Sequence, residues 1–325
     1  MRRISIFTLA VAVCSVAQIA LQHAPAWAED WPQRSVRIIT PFPAGTGGDL
    51  AARLFAERLT SRWGKPVVVE NKPGADGILA VTAFLSAQDE HTIFLTNGGP
   101  LTSNPFSHDK LPYDPVNDFV PISSAADALI AVSAPASLQV DSLASFVKFA
   151  NAHSGKLNWG ATPGALDYIV PGFLKRAGLD MAHVPYREIA PALQDLAEAR
   201  IHLYASALAT QLPAVHAGKV RVLAVTNRER TDLVPEARTA NEAGFADLEF
   251  EAFLGFFGPR GMQKDLQERI SADIRAFGAD AALAARLSAA GLRIRTNTPA
   301  ELSEIVERER RKVAEFARTA DRTSK

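Results

Sequence analysis

Three apolar runs in the first hundred residues, at 36–39, 67–69 and 92–96, are each followed by a loop of small residues. The first loop leads into a segment with Leu50, Leu54, Phe55 and Leu59 on one helical face, closed by Gly64 and Pro66. The second leads into an apolar helix over about 78–87. Strands that alternate with helices build parallel βαβ units with right-handed crossovers, so the chain is restricted to an α/β fold. In such sheets the ligand crevice lies at the carboxyl ends of the strands. All three loops leave the sheet at that edge.

The first loop reads Thr40-Pro41-Phe42-Pro43-Ala44-Gly45-Thr46-Gly47-Gly48-Asp49. Its glycines let the backbone come close to a ligand. The helix that follows begins with unpaired N–H groups and a partial positive charge, which makes an anion site. A tight turn with glycines at positive φ and nothing bound explains the same ten residues, and both readings stand at this point. The nucleotide versions of the motif do not fit: Leu50 occupies the sixth place of G-x-G-x-x-G, and no Gly-Lys-Ser/Thr follows. Asp49 is expected to cap the helix rather than to catalyse. The second loop is Asn71-Lys72-Pro73-Gly74-Ala75-Asp76-Gly77, and the third is Asn97-Gly98-Gly99.

After an irregular, proline-punctuated stretch at 111–115, a second β-α set begins. Strands are expected at 129–133, 157–160, 201–205 and 220–226, one more ends at 183–186, and helices fall at 142–150 and 189–198. A further glycine loop, Ala161-Thr162-Pro163-Gly164-Ala165, precedes a helix. An aromatic-rich strand at 250–257 crosses back, and the remainder reads as helical. Thr298-Pro299-Ala300-Glu301 is a capping box for a last helix that buries Leu302, Ile305, Val306, Val313 and Phe316. The expected division is 29–127 with 251–325 as one α/β domain and 128–250 as the other. The run Glu307-Arg308-Glu309-Arg310-Arg311-Lys312 reads as a solvated helix face.

The start, Met1-Arg2-Arg3, an apolar run to Leu21 and Ala26-Trp27-Ala28, reads as a signal peptide over 1–28. Cleavage there leaves 325 − 28 = 297 residues, and removes the single cysteine, Cys14, and two of the 35 basic residues against 35 acidic ones. The net charge of −2, with no basic patch, argues against nucleic acid. No metal-ligand spacing, no nucleophile motif and no cofactor fingerprint occurs; the six mature histidines are expected to be surface or packed residues. An exported two-domain α/β chain with anion-type loops and no catalytic constellation points to a ligand-binding protein that closes about a hinge.

Ordered segments sharpen this reading. Pro41-Phe42-Pro43-Ala44-Gly45-Thr46-Gly47-Gly48-Asp49 resembles the P-F-P-x-G-x-x-x-D segment of the Bug-type solute receptors of tripartite tricarboxylate transporters. Pro66-Val67-Val68-Val69-Glu70-Asn71-Lys72-Pro73-Gly74-Ala75-Asp76-Gly77, Leu111-Pro112-Tyr113-Asp114-Pro115, His183-Val184-Pro185-Tyr186, Ala217-Gly218-Lys219 and Glu242-Ala243-Gly244 agree in the same order. The resemblance implies a two-domain periplasmic-binding-protein type II (Venus flytrap) fold with the ligand cleft between the domains. It also implies a monomeric periplasmic receptor, without enzymatic activity or cofactor, that passes a small carboxylate to a membrane permease. The ligand-binding residues it implies are Phe42, Ala44, Gly45, Thr46, Gly47, Gly48 and Asp49 in the first loop and Asn97 and Gly98 in the third. Across the cleft they are Thr162, Pro163, Gly164, Ala165, Tyr186 and Ser206. Two departures from the family pattern stand out. Ile169 falls where the second-domain loop usually ends in histidine, and Ser206 replaces the aspartate of amino-acid-binding members, which argues against an amino-acid ligand. The competing functions are a sensor input for a membrane signalling partner and an enzyme on the same fold.

Overall fold

The computed structural model describes residues 31–162, 164–186 and 188–321, so the signal-peptide segment 1–28 lies outside the described residues. Eleven strands are described: β1 Val36–Thr40, β2 Val67–Asn71, β3 Thr92–Asn97, β4 Phe119–Ala128, β5 Ile130–Pro135, β6 Leu157–Ala161, β7 Met181–His183, β8 Leu203–Ala207, β9 Val220–Val225, β10 Ala252–Pro259 and β11 Leu292–Ile294. They form a six-stranded sheet in the order β2-β1-β3-β10-β4-β11 and a five-stranded sheet in the order β7-β6-β8-β5-β9.

β1 is parallel to both neighbours, with Ile38 opposite Val69 and Ile93. Helices cover both faces of this sheet, which is why Val36, Ile38 and Ile39 form a nearly continuous apolar run rather than an alternating one. One face packs on the Gly47–Trp63 and Lys264–Arg275 helices through Leu54, Phe55, Phe256 and Ile270. The other packs on the Ile78–Ala87 helix and the start of the Pro299–Asp321 helix through Phe84, Phe94, Phe257 and Leu302. Each such side chain, fully buried, contributes about 1.5–3 kcal/mol. The capping box at Thr298 forms as the sequence indicates: Glu301 Oε2 accepts from Thr298 N at 2.8 Å, and Thr298 Oγ1 accepts from Glu301 N at 3.3 Å.

Two strands escape sequence reading. β4 carries Pro121 and the run Ser123-Ser124-Ala125-Ala126, a composition poor in strand formers. It is nevertheless central, between β10 and β11, because both antiparallel neighbours supply its ladder and Pro121 sits beside a register shift where one donor is not required. β11 interrupts a stretch expected to be helical throughout; it pairs three residues with the far end of β4.

The chain passes between the sheets twice, and the two passages lie side by side. Only Leu129 separates β4 from β5, and Ala252, where β10 begins, pairs with Ala128. Asn227 ties the passages together: Ile130 N donates to its Oδ1 at 3.0 Å and its Nδ2 donates to Ala128 O at 3.1 Å. The Pro299–Asp321 helix makes a third link. Its early residues pack on the first sheet, whereas Phe316 joins the second core against the Leu166–Arg176 helix. There a Cβ on Gly172 would lie 2.2 Å from the Phe316 ring, so glycine is what allows the two helices to touch.

Candidate ligand cleft

A cavity of about 440 Å³ opens between the two sheets, at the carboxyl ends of β1, β3 and β6. Phe42, Thr46, Gly47, Gly48, Asn97 and Gly98 line it from the first lobe. Thr162, Gly164, Ala165 and Thr210 line it from the second, and Ala128, Ile130, Phe250 and Ala252 form its floor at the passages.

The first loop is held from behind. Gly45 adopts φ +84, which side-chain-bearing residues resist, and its N–H donates to Asp49 Oδ2 at 2.9 Å. Asp49, 3% exposed, also accepts from Asn71 Nδ2 at 2.7 Å and Arg53 Nε at 3.1 Å. Burial raises the Asp49 carboxyl's pKa, but the bonds from Arg53, Gly45 and Asn71 outweigh it and leave the group below its ordinary value. The actual N-cap is Thr46, whose Oγ1 accepts from Asp49 N at 3.4 Å and donates to Pro43 O at 2.8 Å. With these bonds made, the first-turn amides of Gly47 and Gly48 have no partner among the described residues, and both glycines line the cavity. Gly48 is also pressed against the Phe42 ring, whose Cγ would lie 2.4 Å from an added Cβ.

In the second lobe, Thr162 N donates to Ala205 O at 2.9 Å, and Gly164, at φ +114, donates to Asp167 Oδ2 at 3.2 Å. Burial pushes the Asp167 carboxyl up to about 6, against the pull of the Gly164 amide. Thr162 Oγ1 is buried without a hydrogen-bond partner among the described residues. It lies near enough to Tyr204 to soften the rise that burial imposes on that phenol, but the two hydroxyls do not meet in bonding geometry.

Among the described residues no lysine, arginine or histidine lines the cavity, whereas Glu251 and Glu309 do. Glu251 is held from outside the cavity by Arg295 at 2.6 Å and Arg308 at 2.7 Å. The described lining thus offers amides, hydroxyls and a helix terminus rather than a cationic side chain.

Nine of the residues implied by the sequence line the cavity: Phe42, Thr46, Gly47, Gly48, Asn97, Gly98, Thr162, Gly164 and Ala165. Ala44, Gly45 and Asp49 do not; Gly45 and Asp49 spend their polar groups on each other. Pro163 lies outside the described residues. Tyr186 packs its ring on Gly160 and donates its hydroxyl to Asp195 at 2.6 Å, away from the cavity. Ser206 lies inside β8 rather than after it, fully buried, and its Oγ accepts from Gln211 Nε2 at 3.0 Å. Thr210, one helical turn on, takes the position facing the cleft. Sequence reasoning missed Thr102, Ser103, Thr210, Glu251 and Glu309. For Glu309 it read the opposite: the run 307–312 is not uniformly solvated, because the last helix lies across both lobes and buries Glu309 to 3% exposure.

The two-sheet architecture with a cleft at the passages is that of periplasmic binding proteins, and the site defines a solute receptor. Residues 51–317 match the model of the family described as "Tripartite tricarboxylate transporter family receptor", and the chain belongs to that family. Protein BugT of Bordetella pertussis is 28% identical over 242 residues, covering 73% of this chain and 74% of BugT. Among solved structures, R. palustris Rpa4515 with adipate is 29% identical with a TM-score of 0.75, covering 88% of this chain and 98% of that one. MatC from Rhodopseudomonas palustris with bound malate is 26% identical with a TM-score of 0.71, covering 88% and 100%.

Proposed function

We propose that this receptor captures a small dicarboxylate in the periplasm and delivers it to a membrane permease of the tripartite tricarboxylate type, binding it without chemical change. The observation that carries this reading is the pair of first-turn amides at Gly47 and Gly48, unpartnered among the described residues, in the wall of a cavity whose described lining holds no cationic side chain. Charge-assisted bonds of this kind contribute roughly 1.5–3 kcal/mol each, and the helix terminus adds about 0.3–1 kcal/mol. The adipate and malate held by the two related structures support a dicarboxylate over a single acid. We assign residues 29–127 with 251–325 to one lobe and 128–250 to the other, closing about the passages at Ala128 and Ala252, with export directed by 1–28. The protein acts as a monomer.

The test is a thermal-shift and calorimetric screen of the mature protein with adipate, malate and their diamides. The dicarboxylates should raise the melting temperature, the diamides should not, and the recovered ligand should be unchanged. Equal binding of acids and diamides, or turnover of the ligand, refutes the reading.

A further inference from the structure

Glu309 is the feature of the cleft that an amide-based anion site does not explain. The residue sits in the middle of the Pro299–Asp321 helix, is 3% exposed and lines the cavity. Its Oε2 has no hydrogen-bond partner among the described residues. Its other oxygen stands 3.9 Å from Arg308 Nε, a distance that leaves the ion pair loose. A carboxyl oxygen removed from water and left without a donor is costly, and such groups find their partner in a ligand or a proton.

The charged groups around Glu309 are already committed elsewhere. On its own helix, Arg308 donates to Glu251 Oε2, and Lys312 donates to the main-chain oxygen of Glu249. From the segment that returns to the first sheet, Glu251 faces it, itself paired with Arg295, which also holds Asp127 at 3.1 Å. On the cavity side Glu251 is the one other charged group in the described lining, which otherwise offers neutral groups such as Thr102, Ser103 and Phe250.

We infer that Glu309 is a ligand-contacting acid: its carboxyl receives the second carboxylate of the bound dicarboxylate, the two groups share one proton, and binding at neutral or higher pH takes that proton from solvent. The inference rests on the carboxylate-receptor reading above. The proton balance is simple. Ionised Glu309, a doubly ionised ligand and one proton give a complex in which Glu309 is a neutral acid donating to the ligand carboxylate. No bond other than O–H is made or broken.

The electrostatics run in the direction this requires. Burial pushes the Glu309 carboxyl up to about 7; Lys312, Arg308 and a hydrogen bond from the Glu251 main chain pull it down, and the Glu251 charge adds to the rise. A ligand carboxylate beside it is a further like charge and drives it higher, as in any close pair of carboxyls. Below about pH 6 free Glu309 already carries its proton, so binding there needs no uptake. Above about pH 7 it must be protonated on binding, so affinity falls as pH rises, approaching a factor of ten per unit. The arrangement selects dicarboxylates over monocarboxylates, because only the former supply an acceptor at Glu309.

The test is calorimetric titration of the full mature protein with adipate and with malate at about pH 6 and about pH 8, in two buffers of different ionisation enthalpy, for the parent and Glu309→Gln. The parent should take up close to one proton per ligand at the higher pH and almost none at the lower. Glu309→Gln, which mimics the protonated acid, should bind at both pH values with no uptake and a flat pH dependence. Dicarboxylate binding by the parent without proton uptake at about pH 8 overturns the inference while leaving the receptor reading intact. Undiminished uptake in Glu309→Gln overturns it too and moves the proton to another group, such as Lys312. If neither dicarboxylate binds at either pH, the receptor reading fails and the inference falls with it. A merely structural role for Glu309 changes the melting temperature but leaves the proton count untouched.

Discussion

Two glycines three residues apart in the first loop should respond to the same substitution in opposite ways. An alanine Cβ at Gly48 would lie 2.4, 2.5 and 2.7 Å from Cγ, Cδ2 and Cδ1 of Phe42, whereas the Gly48 backbone has no positive φ to oppose it. Ordinary contact begins near 3.4 Å, so the ring has to retreat by 3.4 − 2.4 = 1.0 Å. Phe42 is a half-buried cavity wall rather than a core side chain, so the ring can move, and it moves within the ligand site. Overpacking of this size costs about 1–3 kcal/mol when the surroundings are rigid. Alanine in place of a helical glycine regains up to about 1 kcal/mol. Stability of the free protein should therefore change little. Affinity for the dicarboxylate should fall roughly 5- to 30-fold, corresponding to about 1–2 kcal/mol. At Gly45 the balance is reversed. No atom lies within 4 Å of an added Cβ, but φ is +84. Alanine there costs about 1–2 kcal/mol of backbone strain. Since the Gly45 amide is bound to Asp49 and outside the cavity, the loss should appear as a lower melting temperature with affinity nearly unchanged. Calorimetric titration and thermal denaturation of both variants make the comparison. Loss of affinity in Gly45→Ala with Gly48→Ala binding like the parent would refute the assignment of the cradle to Gly47 and Gly48.

Two further variants test the supports of the site. Asp49→Ala strands the Gly45, Asn71 and Arg53 donors and should destabilise the protein by about 1–3 kcal/mol. Because the Asp49 carboxyl is held below its ordinary 3.8, that stabilisation is present above 3.8 and lost as the group protonates below it. The melting-temperature gap between parent and variant should therefore close on acidification; a gap independent of pH contradicts the ionised carboxylate. Thr162→Val keeps the shape but removes a buried hydroxyl that has no partner among the described residues. Melting temperature should hold or rise, while dicarboxylate affinity drops by about 1–3 kcal/mol if the ligand supplies the missing bond. Unchanged affinity in titration removes Thr162 from the contact set.

Much of this molecule was legible in the order of its residues because the relevant signals are local. Alternating apolar strands and helices, the helix stop at Gly64, the capping box at Thr298 and the glycine loops after β1 and β3 each depend on neighbours within a few positions. The family followed from several such segments in sequence, and nine of the ligand-binding residues named from sequence line the cavity. What the tertiary structure alone decided depends on partners far along the chain. β4 exists as a strand because β10 and β11 flank it, not because Pro121 and its serines favour one. Gly45 and Gly48 read alike in sequence; only the packing of Asp49 behind the loop and of Phe42 across it gives one a turn and the other a place in the cavity wall. β8 runs on to Ala207, so Ser206 is buried within the strand, and Thr210 in the helix that follows lines the cleft. Glu309 sits in a charged run that composition assigns to solvent, although its spacing from Val306 and Val313 puts it on the helix's buried face. It is buried because the helix that carries it spans both lobes, and burial of a carboxyl is decided by what surrounds it in space, which no window of sequence contains.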